Sequence, residues 1–580
     1  MIRNFLILFS ALFLNLSIFG QDKAKELHLK IMQTTDVHGA ILPFDYIRNT
    51  PKNYSLASVI SYVKEERQKT GQDVILLDNG DILQGQPLVY YSNFEASDTI
   101  HVCAAAMNYM KYDAATIGNH DIEAGHKVYD KLVGEFNFPW MAANAMDTKT
   151  KKPYFKPYAI VNKQGFKIAI LGLITPAIPK WLPENIWKGM EFEDMIQSAK
   201  KWTAYIEKNE NPDILIGLFH SGVDYTYSNE SDTTYKNENA SKLIALNVPG
   251  FDVIFAGHDH QRFNEFVVNN SGSKVLMLNP ANSAQMIAVA DIKMSWDSEH
   301  KSFTKSITGT LVETKNYSPD SSMMAILKPY HDKVDKYVNH VIGENKTTIS
   351  ARDALFGNST FIDFIQELQM EISGAEISFA APLFYDFELL KGPLSVRDMF
   401  KLYRFENLLY TMLLSGQEIK DFLEYSSSLW FNQMTGKNDA LLKYHKNEKN
   451  KITLDNPFYS FASAGGIIYT VDVSKPVGKR VQIKSLANGK KFKLDKKYKV
   501  AINSYTGNGG GGLLTTGAGI NKNELAKRIV FSTDKDLRYY MMKSIEKKGI
   551  IEPKKQNNWK VIPEDWWLNA KEMDYKLLFN

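Results

Sequence analysis

The sequence predicts an α/β fold in the first half of the chain and an α+β domain in the second. Its 580 residues exceed what one ordinary hydrophobic core spans, so two domains are expected. Strand-like runs alternate with amphipathic helical stretches from residue 22 to about residue 316, where this pattern ends. The composition is that of a globular protein, with 44% hydrophobic residues, and a formal net charge of +4 gives no support to a nucleic-acid polymer as partner.

The first twenty residues are typical of a secretory signal peptide. A short positive start is followed by an apolar run from Phe5 and by a small residue, Gly20, before polar residues begin. The run is shorter than the ~20 apolar residues of a membrane-spanning helix, so cleavage is expected rather than anchorage. We therefore expect a signal peptide at residues 1–20 and a secreted, periplasmic protein with no stable membrane insertion.

The alternation in residues 22–316 indicates a largely parallel or mixed sheet with helices on both faces. A connecting helix is predicted within residues 317–341, because apolar residues recur there at helical spacing. Residues 342–552, which include several strand-like runs and the glycine-rich loop Asn503–Gly512, are expected to form the second domain. Residues 553–580 form a tail that carries three tryptophans and is expected to pack back on the body.

Five short polar clusters each follow an apolar, strand-like run in the first half of the chain. They are Asp36-Val37-His38, Gly80-Asp81, Gly118-Asn119-His120-Asp121, Phe219-His220 and Gly257-His258-Asp259-His260. Because ligands of open α/β sheets lie beyond the carboxyl ends of the strands, these clusters are expected to share one rim. Taken alone, each has a plain structural alternative: a capping pair, a turn or a histidine satisfied within the core. Together they offer enough nitrogen and oxygen ligands for two metal ions.

The order of these motifs resembles that of the calcineurin-like metallophosphoesterases, in the secreted branch that contains 5′-nucleotidases and 2′,3′-cyclic-nucleotide phosphodiesterases. The matching segments are Thr35–Gly39, Gly80–Gly85, Gly118–Asp121, His220–Gly222 and Gly257–His260. The resemblance implies a four-layer α/β metallophosphoesterase domain followed by an α+β substrate-binding domain.

The resemblance also implies two divalent metal ions and their ligands. Seven residues would hold them: Asp36, His38 and His260 on one ion, Asn119, His220 and His258 on the other, and Asp81 bridging both. This mixture of nitrogen and oxygen ligands suits Zn, Mn, Co or Fe. Two such cations acidify water and stabilise charge on phosphoryl oxygens.

In the family that the chain resembles, the histidine at the position of His120 is a catalytic donor rather than a ligand. It stabilises the transition state or protonates the leaving oxygen. The family often pairs it with an aspartate three residues on, a position that Glu123 holds here. The adjacent Asp121 is a second candidate partner. Asp259, between two predicted ligands, is expected to orient the ring of one of them.

Two segments of the second domain resemble the family's nucleobase clamp. Tyr403–Asn407 matches the segment that supplies one aromatic ring and an asparagine, here Phe405 and Asn407. The glycine-rich loop Asn503–Gly512 matches the segment that supplies the second ring, here Tyr505. Stacking contributes ~1–3 kcal/mol per ring contact with little base selectivity. Without the resemblance, Phe405 would be assigned to the core and the loop to a flexible connection.

Departures from the 5′-nucleotidase pattern favour a cyclic substrate. Gly511 stands where that pattern has an acid that holds the ribose hydroxyls. The stretches Phe356–Phe361 and Ala381–Asp386 lack its phosphate-binding arginines. The leading hypothesis is therefore a 2′,3′-cyclic-nucleotide 2′-phosphodiesterase that also acts as a 3′-nucleotidase. The nearest alternative is a 5′-nucleotidase or UDP-sugar hydrolase, and the remote one is a nucleotide-binding surface protein without catalysis.

Overall fold

The computed structural model describes residues 24–227, 230–447 and 451–579. The predicted signal peptide, at residues 1–20, lies outside these residues. Within the described part of the chain, no helix combines the length and the apolar character that crossing a bilayer requires.

Two six-stranded mixed sheets form the first domain and pack face to face. In the first sheet the strands stand in the order Ser302–Glu313, Met286–Asp297, Glu26–Thr34, Asp73–Asp78, Ala114–Thr116 and Trp140–Met141. In the second sheet the order is Arg262–Val268, Lys274–Pro280, Val253–Ala256, Ile214–His220, Phe166–Ile174 and Tyr158–Lys163. In each sheet four successive strands run parallel to one another. Each of the other two strands pairs antiparallel with its neighbour. The carboxyl ends of the parallel strands therefore define a rim on each sheet.

Side chains of the inner strands alternate between two apolar layers. In the strand Ile214–His220, Ile216 and Leu218 enter the core between the sheets, whereas Leu215 and Phe219 face the helices. The four-layer α/β architecture implied by the resemblance is thus confirmed. The single sheet expected from the alternation alone is corrected to two sheets. A strand packed on a second sheet is as apolar as one packed on a helix, so the alternation does not distinguish them.

Helices form the outer layers of the first domain. Their bounds are Leu56–Gln68, Pro87–Tyr90, Val102–Met110, Asn119–Glu123, His126–Glu135, Ile178–Trp181, Glu184–Trp187, Met195–Glu210 and Ser241–Asn247. The hydroxyl of Ser55 caps the first of them by accepting the backbone N–H of Ser58 at 3.3 Å. That helix then buries Val59 and Val63 against the first sheet.

One helix, Ser321–Val338, connects the domains within the predicted range 317–341. Its cap is Asp320, whose carboxylate accepts the N–H of Met323 at 2.8 Å and pairs with Nζ of Lys64 at 2.6 Å. The apolar side of the helix packs on the first domain. Val341 is not part of the helix but opens the next strand and is exposed.

The second domain has a five-stranded central sheet and several small sheets. The central strands stand in the order Ser463–Gly465, Ile377–Ala380, Lys497–Asn503, Leu409–Ser415 and Ile529–Ser532. Two three-stranded sheets consist of Gly392–Ser395, Val341–Asn345 and Ile550–Ile551, and of Val481–Leu486, Ile467–Asp472 and Trp559–Ile562. The helices are Thr360–Ser373, Val396–Leu402, Gly416–Trp430, Ser504–Gly507, Lys522–Arg528, Leu537–Lys548 and Glu564–Phe579. The predicted α+β character of this half is confirmed.

The predicted tail, residues 553–580, contributes structure to the second domain. Its strand Trp559–Ile562 pairs in parallel with Ile467–Asp472. Its helix carries Trp567, whose indole N–H donates to the backbone carbonyl of Phe356 at 2.6 Å. The chain end therefore packs on the body, as expected, and completes a sheet there.

Polar contacts between described residues hold the two domains together, among them the following three. The hydroxyl of Tyr90 donates to Oδ2 of Asp536 at 2.9 Å. The guanidinium of Arg397 donates to the carbonyl of Tyr46. The side-chain amide of Asn508, in the glycine-rich loop, donates to the carbonyl of Trp181 at 3.1 Å. These contacts place the second domain over the rim of the first.

Candidate active site

The polar clusters predicted from the sequence meet at one rim, to which both sheets contribute. Strands of the first sheet lead into Asp36, His38, Asp81 and Asn119. Strands of the second sheet lead into His220, His258 and His260. Because the sheets pack face to face, the ends of their parallel strands converge at this rim. The placement expected from the strand-end pattern is present.

Asp36, His38 and His260 form a first group, in which one donor atom from each residue lies within 4.8 Å of the others. Nε2 of His260 is 3.0 Å from Nε2 of His38 and 3.3 Å from Oδ1 of Asp36. Burial, followed by the charge of His260, lowers the pKa of His38 to about 3. The ring is therefore neutral near pH 7, the form in which histidine binds metals.

Asp81, His220 and His258 form a second group by the same distance criterion. Nε2 of His220 lies 3.2 Å from Oδ2 of Asp81 and 3.1 Å from the side-chain oxygen of Asn119. The other carboxylate oxygen of Asp81 accepts the backbone N–H of His120 at 2.8 Å. His220 thus directly contacts two other predicted ligands of this ion, Asp81 and Asn119.

The hydrogen bonds of the histidine rings suit metal binding. Nδ1 of His220 lies 2.6 Å from the carbonyl of Asn79, and Nδ1 of His38 lies 3.2 Å from that of Gln84. A carbonyl only accepts, so the proton belongs on Nδ1, and the lone pair of Nε2 faces the group. Nε2 of His258 instead lies 3.2 Å from Oε1 of Glu238, which leaves Nδ1 for the group. The donor set therefore fits two divalent cations.

Five of the predicted ligands have left-handed backbone conformations. The φ angles are 48° for Asp36 and His38, 58° for Asp81, 73° for His258 and 56° for His260. Such angles are uncommon outside glycine and cluster at functional sites. Backbone bonds hold the first two residues there, from the N–H of Asp36 to Gly80 and from the N–H of His38 to Asp81, both at 2.9 Å. The fold maintains this strain where the side chains must converge.

His120 follows Asn119 and lines the cleft beside His38 and His260. Its Nδ1 lies 2.5 Å from Oε2 of Glu123. Burial lowers the pKa of His120, but the charges of Asp81 and Glu123 outweigh it and raise the pKa to about 9. The ring of His120 can thus act as a proton donor, and Glu123 contacts its Nδ1 rather than its Nε2.

Asp121 does not contact the ring of His120. Its carboxylate accepts four backbone N–H groups, from Asp81, Ile82, Leu83 and Gly118, at 2.8 to 3.0 Å. Of the two partners proposed for His120, the geometry therefore selects Glu123. Asp121 organises the loop that carries Asp81.

Asp259 does not orient a ligand ring, contrary to the prediction. Its carboxylate accepts the backbone N–H of Val223 at 2.8 Å and the side-chain amide of Asn279 at 2.8 Å. It therefore holds the loop that follows His220. The carboxylate that contacts a ligand ring is that of Glu238, which sequence reasoning missed. It lies in an irregular loop with no periodicity or motif to mark it.

A cleft of about 320 Å³ opens beside the first group, between the two domains. Phe405 lines it, as predicted, together with Phe384 and Phe400. Arg48 and Arg404 also line it, so arginines reach the cleft from outside the two stretches that lack them.

Two residues of the predicted clamp are absent from the lining of this cleft. Asn407 is buried, and its carbonyl accepts the N–H of Leu537. Tyr505 packs its ring edge-to-face on Tyr459, with centroids 6.0 Å apart, and over Gly510. The phenylalanine rings that line the cleft are therefore Phe384, Phe400 and Phe405, and Tyr505 is not among its lining residues.

Comparison with known proteins finds two family models along the chain. The model of the calcineurin-like phosphoesterases matches residues 29–262, and that of the 5′-nucleotidase C-terminal domain matches residues 341–517. The predicted order of the two domain types is the order found.

Curated relatives extend this likeness over almost the whole chain. A 2′,3′-cyclic-nucleotide 2′-phosphodiesterase/3′-nucleotidase of Salmonella typhimurium is 26% identical over 96% of this chain and 92% of its own. The trifunctional nucleotide phosphoesterase protein YfkN of Bacillus subtilis is 26% identical over 94% of this chain, which spans 39% of that longer protein. A 5′-nucleotidase of Vibrio parahaemolyticus is 26% identical over 68% of this chain.

Solved structures share the fold at lower identity. A protein of Staphylococcus aureus, provisionally described as a 5′-nucleotidase and solved with α-ketoglutarate, has a TM-score of 0.74 at 19% identity, with 92% of this chain and 99% of that one covered. A 5′-nucleotidase precursor of Thermus thermophilus has a TM-score of 0.61 at 21% identity, with 93% and 100% covered. Both support the two-domain architecture.

Proposed function

The chain belongs to the calcineurin-like phosphoesterases that carry a 5′-nucleotidase C-terminal domain, and from this premise we propose that it hydrolyses nucleotides, opening 2′,3′-cyclic phosphates and then releasing the 3′-phosphate. Membership makes it a metal-dependent hydrolase of phosphoric esters, so the alternative of a binding protein without catalysis is set aside. The single observation that carries the proposal is the convergence of two ligand groups at one rim, where the first group and His120 adjoin a cleft lined by aromatic rings.

The ligand assignments remain those expected from the sequence. Asp36, His38 and His260 would hold one divalent cation, and Asn119, His220 and His258 the other, with Asp81 between them. The cations, of Zn, Mn, Co or Fe, would supply an acidified water and positive charge toward the phosphoryl oxygens.

The chain's own residues supply proton transfer and binding. His120, held by Glu123, presents Nε2 to the cleft and would give a proton to the leaving oxygen. Phe405 and Phe384 would bind the base by stacking. Tyr505 and Asn407, the other predicted substrate-binding residues, lie outside the cleft lining, and their contact with the base remains a proposal carried by the resemblance.

Two findings support the cyclic substrate over a 5′-monophosphate. Relatives named for the cyclic activity match 96% of this chain, whereas the Vibrio 5′-nucleotidase matches 68%. Gly511 leaves the glycine-rich loop without an acid. The presence of Arg48 and Arg404 in the cleft favours a second candidate, a 5′-nucleotidase or UDP-sugar hydrolase.

Chromatographic analysis of the products formed from 2′,3′-cyclic AMP, 3′-AMP, 5′-AMP and UDP-glucose, measured side by side, tests the proposal. We expect the highest kcat/KM for the cyclic substrate, and a clear preference for 5′-AMP or UDP-glucose would overturn it. His120→Ala is expected to abolish turnover while the metal content stays constant. Export is also proposed, and sequencing the N-terminus of the mature protein from cell fractions would test it.

A further inference from the structure

The cleft carries more positive charge than the predicted metal centre explains. Besides its histidines, the charged residues of its lining are Arg48, Lys52, Arg404 and one acid, Asp45. Asp45 accepts the backbone N–H groups of Ile47 and Arg48 at 3.0 Å and lies 3.3 Å from Nζ of Lys52. The three cationic side chains and the one carboxylate give this part of the lining an excess of two positive charges.

Arg48 and Arg404 come from different domains but face the same aromatic ring. Cζ of Arg48 lies 5.4 Å and Cζ of Arg404 5.8 Å from the centre of the Phe384 ring. Packing on a ring fixes the plane of a guanidinium and leaves its N–H groups available for an anion.

The two guanidiniums lie close enough to influence each other. Burial and the charge of Arg48 lower the pKa of Arg404, whereas the charges of Asp45 and Glu406 act in the opposite direction. Within the described residues, Arg404 forms no ion pair. The side chain of Arg48 is 61% exposed, and its Nη1 lies 3.5 Å from Oδ2 of Asp45. The same carboxylate oxygen also pairs with Nζ of Lys52. Asp45 is the one carboxylate in the cleft lining and faces three cationic side chains, so the lining favours an anionic ligand, above all a phosphate.

The predicted metal centre would neutralise the scissile phosphate without this pair. His38, His120 and His260 line the same cleft, and the two predicted cations would supply the positive charge that this phosphate requires. Resting on the proposed function, we propose that Arg48 and Arg404 bind a second phosphoryl group of the substrate. The substrate class is then 5′-phosphorylated nucleotides that end in a 3′-phosphate or a 2′,3′-cyclic phosphate, and a cleft of about 320 Å³ matches the size of one nucleotide.

Binding to the His120→Ala variant loaded with metal tests the proposal without turnover. Calorimetry would compare adenosine 3′,5′-bisphosphate with 3′-AMP, and we expect the bisphosphate to bind more than 10-fold tighter. In the His120→Ala background, a further Arg48→Gln or Arg404→Gln should reduce the ratio of the two affinities toward 1. Arg404→Lys should keep part of the preference for the bisphosphate. Arg528→Gln, which removes a half-buried guanidinium paired with Glu418 outside the cleft, serves as the matched control and should keep the ratio.

Two failures are distinguishable. A wild-type enzyme that hydrolyses neither 2′,3′-cyclic AMP nor 3′-AMP would refute the proposed function. A bisphosphate that binds no better than 3′-AMP, or a ratio that survives both arginine substitutions, would refute the second phosphate site whatever the turnover shows.

Discussion

Nδ1 of His120 and Oε2 of Glu123 lie 2.5 Å apart, three residues along one short helix. Glu123→Gln removes the charge that favours a protonated ring, so we expect kcat to fall by roughly 10- to 100-fold with metal content unchanged. Steady-state kinetics and metal analysis would check this. Asp121→Asn is the comparison variant. Because the carboxylate of Asp121 accepts backbone N–H groups, we expect this substitution to lower the thermal stability rather than kcat. A selective loss of kcat in Asp121→Asn, but not in Glu123→Gln, would reverse the assignment.

Glu238 should control metal affinity through the ring of His258. Removing a carboxylate that holds a ligand histidine typically costs roughly 10- to 100-fold in metal affinity. We therefore expect Glu238→Gln to lose the ion assigned to His220 and His258 at a lower chelator concentration than the parent does. Elemental analysis after dialysis would measure this loss. Glu265→Gln, on an exposed strand, is the control. Equal metal retention in both variants would show that Glu238 has no such role.

Gly118 should tolerate no side chain. A Cβ there would lie 2.1 Å from Oδ1 and 2.5 Å from the backbone nitrogen of Asp81. We expect Gly118→Ala to displace Asp81 and to lower both Tm and metal content. Gly134→Ala is the matched control, because a Cβ there meets nothing within 4 Å and alanine is about 1 kcal/mol better than glycine in a helix. Calorimetry of the two variants side by side would decide the point.

Asp363 should make stability depend on pH. Burial raises its pKa to about 6, against the hydrogen bonds from Gln556 and Asn358 that favour its ionised form. Between the unfolded pKa of about 3.9 and pH 6, the native state holds a proton that the unfolded state has lost. Stability therefore falls as the pH rises through this window. Asp363→Asn should gain Tm relative to the parent between pH 4.5 and pH 7, and a constant difference would contradict this.

The strand-end clusters could be predicted because parallel strands bring their carboxyl ends to one edge. That rule needs only the apolar runs before Asp36, Asp81 and His220, which the sequence displays. The number of sheets could not be predicted, since Ile216 in the core between the sheets and Leu215 under a helix are equally apolar. The end of the connecting helix was misjudged because Val341 continues the apolar spacing although it begins a strand.

Contacts between domains were the hardest to predict. Phe384 and Arg404 meet Arg48 only through the way one domain sits on the other, and no local pattern records that. The same holds for Tyr505, whose motif specifies a ring but not its distance from Phe405. Glu238 lies in an irregular loop, where the spacing of residues along the sequence does not determine which way a side chain points.

The predicted ligands divide between the two sheets, which also meet through a shared apolar core and through hydrogen bonds such as that from Oγ1 of Thr116 to the carbonyl of Leu218 at 2.9 Å. An ion held by Asp36 and His260, or by Asp81 and His220, would add a link between the sheets at the edge where their parallel strands end. The reactive centre would then also tie the two sheets together at that edge. Depriving a growing cell of these metals would loosen the edge that borders the cleft as well as stop the reaction.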